Sequence, residues 1–318
     1  MCHKDSEVKQ PLIIGIEGSM RTHPLPKLKN FRMAKWGDPV IKKADVYVQA
    51  NIKENKHKGL REQYDYIINS GKPYIVVESA VFRQGMNTDK LYHRWGWWSY
   101  FQDEADYCNE NSPADRWKQI QADQDIEVKD WKDNTHGYIL LVLQRPRDSS
   151  MRNMIWRHGK YHNFIYNTIR DLRRYTKRKI VIRMHPLKQP QQLEAIELCI
   201  DHFDNIEISK SDAGILEHGG NGGQGLVNDL AGARVCVGFN SNALTDAVIE
   251  GVPTYSLDPS SMAYPVSNRY IRDIESPKTF DRTQWLYNLG YTQWREDEIA
   301  QGKCWEHLSK RYEQFRTN

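Results

Sequence analysis

The sequence predicts an α/β protein made of two doubly wound, Rossmann-like domains, with helices closing its C-terminal end. Three observations carry that prediction. The 318 residues are about two domains' worth of chain. Short apolar runs alternate with longer helix-like stretches, the pattern of βαβ units and parallel sheets. Finally, the runs fall into two series separated by a polar, charged stretch of no clear period, Ala122–His136. The boundary is therefore expected near residue 130, giving domains of 1–130 and 131–318.

In the first series the expected strands are Leu12–Ile16, Asp45–Gln49 and Tyr74–Val77. The second series consists of Tyr138–Leu143, Ile180–Arg183, Ile206–Ile208, Val235–Phe239 and Thr254–Leu257, with Asn163–Tyr175 and Gln191–His202 reading as helices between them. Beyond these, Asp281–Arg316 is rich in tryptophan and charge. It reads as three helices, Arg282–Leu289, Glu296–Gln301 and Trp305–Phe315, which can return to the first domain.

Composition narrows the function classes. Hydrophobic residues at 39% and charged residues at 27% fit neither a disordered nor a membrane chain. The longest apolar runs, such as Tyr138–Leu143, fall far short of the roughly 20 residues that cross a bilayer. Met1–Gln10 is polar and lacks the apolar core of a secretory signal, so a cytoplasmic location without membrane partners is expected. The five cysteines (Cys2, Cys108, Cys199, Cys236, Cys304) form no CxxC pair, which argues against a disulfide framework or a zinc knuckle.

Charge is unevenly spread. Residues 21–61 hold 11 Lys and Arg against Asp38, Asp45 and Glu54, a net of +8. Residues 145–183 hold 12 against Asp148 and Asp171, a net of +10. Since the whole chain carries +4, the remaining 238 residues carry −14. Such asymmetry suggests a polyanionic partner, nucleic acid or a phosphorylated ligand. The alternative is a pair of solvated helix faces. Lys42, Lys43, Lys56 and Lys58 are the candidate DNA-contacting residues.

Ala233–Asp258 is the most informative stretch. A buried-strand run, Val235–Phe239, leads into Asn240-Ser241-Asn242. Apolar residues then follow at helical spacing, Gly251 and Pro253 stop the helix, and Thr254–Leu257 is the next strand. Ser241 or Asn242 suits the N-cap. Free backbone N–H groups at such a helix start, beside the positive end of its dipole, make a phosphate-binding arrangement; a plain capped helix is the alternative. The strand end Arg183-Met-His185-Pro186 offers a cation and an imidazole at the carboxyl edge of the sheet, where ligands of open α/β sheets sit. The loop Gln144–Ser150, with Arg145, faces the same edge, and the glycine-rich His218–Gly225 allows close approach of backbone to a ligand.

Arg183–Pro186 together with Gly238–Pro253 resembles the donor-binding half of two-domain GT-B glycosyltransferases, and more distantly the capsular-polysaccharide transferases. Tyr107–Trp117 and Gln293–Trp305 resemble a narrower set of bacteriophage-encoded, DNA base-modifying glycosyltransferase-like proteins. The resemblance runs roughly from Leu12 to His307. It implies two domains facing a cleft, an N-terminal acceptor domain and a C-terminal domain for a nucleotide-sugar, expected to be a UDP-sugar, with no obligatory metal. On this resemblance Arg145, Arg183, His185, Asn240, Ser241, Asn242 and Thr245 face the donor, and Asp246 and Glu250 face nucleotide or sugar hydroxyls. Glu17 or Glu78 would serve as general base. A phage setting makes the hydroxyl of a hydroxymethylated pyrimidine in duplex DNA the expected acceptor, in the host cytoplasm. A capsular or surface polysaccharide is the alternative acceptor. A non-catalytic nucleic-acid-binding protein and a nucleotide-sugar epimerase are the readings from other classes.

Overall fold

The computed structural model describes residues 10–20, 24–50, 58–82, 92–185, 189–211 and 223–316. Eleven strands among them form two sheets. The first sheet combines β1 (Ile13–Ile16), β2 (Phe31–Ala34), β3 (Val46–Ala50), β4 (Tyr74–Ser79), β5 (Tyr92–Trp97) and β11 (Gln293–Arg295) in the order β11-β5-β4-β3-β1-β2. The second combines β6 (Tyr138–Val142), β7 (Ile180–Arg183), β8 (Ile206–Ile208), β9 (Ala233–Gly238) and β10 (Thr254–Ser256) in the order β10-β9-β6-β7-β8.

Each expected strand forms, and in the central strands an unbroken run of Val, Ile and Leu suits a parallel strand covered on both faces. Ile139–Leu141 and Ile180–Ile182 are fully or almost fully buried. The sequence hid three strands. In β2 two apolar residues alternate with a basic one at the sheet edge. Gly96 and two basic residues dilute β5, and β11 has three residues. The expectation of wholly parallel sheets needs one correction: β5 runs antiparallel to both β4 and β11. The second sheet is parallel throughout.

Helices occupy the connections: α1 (Glu17–Met20), α2 (Lys58–Asn69), α3 (Asp115–Gln124), α4 (Arg152–His158), α5 (Tyr161–Tyr175), α6 (Gln189–Ile200), α7 (Gly223–Gly232) and α8 (Ala243–Ile249). The chain then runs through α9 (Thr283–Gly290) and β11 into α10 (Glu296–Ala300), α11 (Lys303–Leu308) and α12 (Tyr312–Arg316). Amphipathic α5 shows why such helices dock. Phe164, Ile165, Thr168, Ile169 and Leu172 recur at helical spacing and are buried, facing the second sheet's core of Leu141, Ile182 and Val237.

The last helices pack on the first sheet: Leu308 and Tyr312 share a core with Val46, Val48, Ile75 and Trp97, and the Trp97 indole donates to the Leu308 carbonyl at 3.0 Å. Arg116 on α3 clasps the same segment. Its guanidinium is buried, bonds both Glu298 oxygens at 3.0 Å, and lies 3.8 Å from the Trp294 ring centre. Among the described residues, no helix is long and apolar enough to cross a membrane.

Candidate functional site

In the second sheet β7 and β8 lie on one side of β6, while β9 and β10 lie on the other. The loops leaving β6 and β9 therefore diverge, and that divergence opens a crevice at the carboxyl edge. A glycine is needed there: β6 and β9 pair Val142 with Gly238, and a Cβ on Gly238 would stand 2.7 Å from Val142 Cγ2.

The crevice floor is a lock between Gln144, just after β6, and Asn240, just after β9. Gln144 Nε2 donates to Asn240 Oδ1 at 2.6 Å, and the Asn240 amide donates to Gln144 Oε1 at 3.2 Å. Asn240 Nδ2 donates to the Ser150 carbonyl at 2.8 Å and to Ser260 Oγ at 2.6 Å. Asn240 is thus buried and ties three loops together. Its side chain is occupied as a positioning group.

The turn into α8 differs from the sequence expectation. Ser241 Oγ accepts from the Ala243 amide at 3.3 Å and the Ser241 carbonyl from Leu244 at 3.0 Å, while the Asn242 carbonyl accepts from Thr245 at 2.9 Å. The expectation of free N–H groups in the first helical turn is therefore corrected: that turn satisfies its own donors. Among the described residues, the amides of Ser241 and Asn242, one step earlier, make no hydrogen bond. Asn242 makes no cap bond with its side chain; its Nδ2 reaches the Ala80 carbonyl of the other half at 3.4 Å. Thr245 in the first turn is fully buried, and its hydroxyl has no partner among the described residues. Asp246 is half-buried beside it.

Glu250 is placed elsewhere. It lies at the far end of α8, roughly 10 Å from the helix start at 1.5 Å per residue. It is buried there, with Oε2 2.5 Å from Lys129 Nζ.

The neighbouring strand end is β7. Arg183 is buried, and its Nη1 lies 2.7 Å from Asp229 Oδ2, a carboxylate that also accepts from Ser209 and Ser211. Its charge is committed within the fold. His185 is held through its backbone: its amide donates to Gln192 Oε1 at 2.7 Å, and Gln192 Nε2 donates to its carbonyl at 2.9 Å. Pro186 and residues 218–222 of the glycine-rich stretch lie outside the described residues. After β6, Arg145 Nη2 pairs with Asp148 Oδ2 at 2.5 Å. Burial works to raise the Asp148 carboxyl, but the Ser150 amide and hydroxyl and the Arg145 charge hold it below the usual carboxylate range.

The first sheet presents its carboxyl edge to this crevice. Ala80, Val81 and Phe82, just after β4, share a core with Leu244, Ala247 and Val248 of α8. The Gln102 amide donates to the Ser260 carbonyl at 3.1 Å, the Tyr100 hydroxyl lies 3.4 Å from Ser149 Oγ, and Arg152 pairs with Glu104. Glu78 sits two residues before the Ala80 contact, its Oε1 accepting from the Ser79 amide at 2.8 Å. Half-buried Glu17 opens α1 at the end of β1, two strands away.

The basic segments behave differently from one another. In 145–183, eight cations meet acids: Arg145 with Asp148, Arg152 with Glu104, Arg157 with Asp258, Arg170 and Arg174 with Asp171, Arg178 with Glu275, Lys179 with Glu207, and Arg183 with Asp229. Five of those acids come from the acidic remainder of the chain. Sequence distance alone made this segment look uncompensated. Lys42 and Lys43 close a turn, Pro39–Lys43, at the amino edge of β3. Lys58 starts α2 beyond the carboxyl end of β3, and Lys56 lies outside the described residues. Among the described residues, Lys42 and Lys43 therefore lie at the opposite end of β3 from the start of α2.

Sequence reasoning missed Gln144 as a lock, Gln192 as a clamp, and Asp258. Asp258 is fully buried, accepts from the Ser260 amide at 3.0 Å and pairs with Arg157. Gln144 and Asp258 act on residues about 100 positions away, Asn240 and Arg157, and Gln192 reaches back seven residues across a strand end, so none carries a local motif. Among the described residues, no three His, Cys, Asp or Glu side chains stand together as a metal site. Asp123 accepts from the Tyr92 hydroxyl at 2.8 Å and from Arg295 at 3.1 Å.

No protein-family model matches the chain, and no curated protein matches it in sequence. Solved structures do. The beta Kdo 2,4 transferase of Thermosulfurimonas dismutans KpsC matches with a TM-score of 0.53 at 11% identity, over 90% of this chain and 92% of that one. The beta Kdo 2,7 transferase of the same protein gives 0.47 at 11%, over 94% and 99%. The S. aureus MnaA–UDP structure gives 0.33 at 11%, over 97% and 98%. The first likeness is one of fold. With the sheet orders above, it establishes two Rossmann-like halves facing a cleft, the GT-B-like arrangement.

Proposed function

We propose that this protein is a glycosyltransferase that takes a sugar from a nucleotide-sugar, a UDP-sugar in the first instance. The observation that carries the reading is the crevice at the switch point between β6 and β9. There, beside the Gln144–Asn240 lock, the Ser241 and Asn242 amides make no hydrogen bond among the described residues, and the Asn242 side chain reaches the Ala80 carbonyl of the first half. Paired amides in a water-poor cleft suit a diphosphate whose negative charge grows as it departs. His185, one strand away, can donate a proton or hydrogen bond to the same group. On the acceptor side Glu78 is the base of choice, since it adjoins the contact between the halves; Glu17 is the second candidate. In an inverting reaction this carboxylate takes the acceptor hydroxyl proton as that oxygen bonds the anomeric carbon and the bond to the diphosphate breaks.

The acceptor proposed from the sequence resemblance is a hydroxymethylated pyrimidine of duplex phage DNA. Its electrostatic support now rests chiefly on residues 21–61, because eight of the twelve cations of the second basic segment are in ion pairs. A surface polysaccharide is the competing acceptor. It is favoured by Trp156, 86% exposed on α4, the helix whose Arg152 pairs across to Glu104. Such a ring can stack on the apolar face of a sugar.

The test is mass spectrometry of hydroxymethylcytosine duplex and of oligosaccharide acceptors after incubation with a panel of UDP- and GDP-sugars, beside thermal shifts with the donors alone. One added hexose on either acceptor supports transfer and names the acceptor. No added mass and no donor-dependent shift removes the reading.

A further inference from the structure

Unlike the second basic segment, residues 27–43 of the first make no ion pair among the described residues, and Arg61 alone pairs, with Asp65. Lys27, Lys29, Arg32, Lys35, Lys42 and Lys43 are all exposed, and none makes an ion pair among the described residues. They flank β2, the edge strand of the first sheet, and the turn Pro39–Lys43. Two acids on this stretch are turned to local work: Asp38 caps that turn, accepting from the Val40 amide, and Asp45 accepts from the Leu12 amide. Glu62, one turn before Tyr66 on α2, is a further carboxylate on this side.

Aromatic rings lie among these cations. Trp36 is 39% exposed and meets Tyr66 edge-on at 5.5 Å, and Tyr66 meets Tyr47 at 6.3 Å. Beside them opens a shallow cavity of about 560 Å³, lined by Lys42, Tyr47, Tyr66, Asn69, Ser70 and Lys72. Lys72 Nζ is held there by the Lys42 and Ala44 carbonyls.

We propose that this face, Arg32, Lys35, Lys42 and Lys43 around Trp36, binds single-stranded nucleic acid, with the cations on phosphates and a base on the Trp36 ring. Unpaired cations interleaved with an exposed aromatic ring are what a flexible phosphodiester strand requires. A duplex would leave the ring without an unstacked base to receive. The face is separate from the crevice, since it is built around β2, the edge strand, three strands from β4, whose following residues pack on α8. The inference therefore stands apart from the transferase reading, and its test needs no donor.

Basic residues on and beside an edge strand also discourage edge-to-edge pairing, so the experiment must separate the two roles. Anisotropy of a labelled 20-nucleotide single strand is titrated between 50 and 250 mM salt, with the matching duplex and a heparin fragment as competitors. Sedimentation velocity is run on every sample. The single strand is expected to bind in preference to both competitors, with log K linear in log salt. The variant R32Q/K35Q/K42Q/K43Q is expected to remain monomeric and to flatten that slope by about 3, at roughly 0.7 per lost phosphate contact. Trp36→Ala is expected to weaken binding roughly 5- to 150-fold, the span of one lost base stack, and Trp36→Phe to restore most of it. An unchanged slope, equal or tighter binding of duplex or heparin, or a loss of binding seen only in self-associated samples overturns the proposal.

Discussion

Replacing Arg116 by Met tests how the chain's end is tied to its middle. Arg116 is 7% exposed and makes four hydrogen bonds of 2.8–3.2 Å: to both Glu298 oxygens and to the Gly290 and Gln293 carbonyls. Methionine fills similar volume against Trp294 but leaves the Glu298 carboxylate, 4% exposed, with only the Arg295 amide at 2.9 Å and Gln119 at 3.4 Å. Removing one partner of a buried pair costs about 3–5 kcal/mol. With an unfolding entropy of roughly 2.1 cal/mol/K per residue, 318 residues convert that into a fall in Tm of about 4–8 °C. Differential scanning calorimetry at pH 7 reads it. The double variant Arg116→Met/Glu298→Leu removes both charges and is expected to recover most of the loss. pH supplies a second arm. Burial works to raise the Glu298 carboxyl, yet the hydrogen bonds and charge of Arg116 hold it below its ordinary value. A depressed carboxyl contributes stability that is present above the unfolded value near 4.3 and lost as pH falls through the folded one. The gap between the wild-type protein and Arg116→Met should therefore narrow below about pH 5. A single variant that loses under about 1 kcal/mol, or a double variant no better than the single, refutes the clasp.

Thr245→Val removes a buried hydroxyl without a described partner, so the free protein should gain about 1–3 kcal/mol in urea unfolding, while the thermal shift given by a bound UDP-sugar shrinks; a loss of stability would show that the hydroxyl is satisfied. Gly251→Ala places a Cβ at φ +76, 2.0 Å from the Asp130 carbonyl oxygen. The left-handed backbone alone costs about 1–3 kcal/mol, and unchanged denaturation would mean the linker yields freely. His185→Ala should abolish sugar transfer while leaving the two Gln192 bonds to its backbone in place; normal turnover removes the imidazole from the mechanism. Arg183→Ala should instead lose about 3–5 kcal/mol by stranding Asp229, so a drop in its activity becomes informative only after correction for the folded fraction.

The sequence by itself determined which segments become strands and helices wherever burial is two-sided. Ile139–Leu141, Ile180–Ile182 and Val235–Val237 are apolar at every position, and their shortness and β-branched content mark them as strands covered on both faces. It also determined the turn after β9, because Gly238, Asn240-Ser241-Asn242 and Gly251 mark a tight strand–helix–strand passage without reference to anything distant. Edge and short elements escaped it. β2 alternates basic and apolar residues, and β11 has three residues whose partner strand lies about 200 positions earlier. Tertiary structure alone decided which polar residues are free to act. Arg183 reads as a phosphate cation until Asp229 folds against it, and Asn240 as a ligand until Gln144, Ser150 and Ser260 surround it. The same holds for charge: residues 145–183 look like a polyanion site in sequence, and residues 27–43 look much like them. Only the fold brings Glu104, Glu207, Asp229, Asp258 and Glu275 to the former, while among the described residues no acid pairs with the cations of the latter. Coulomb attraction depends on distance in space, and distance in space is what a linear sequence does not contain.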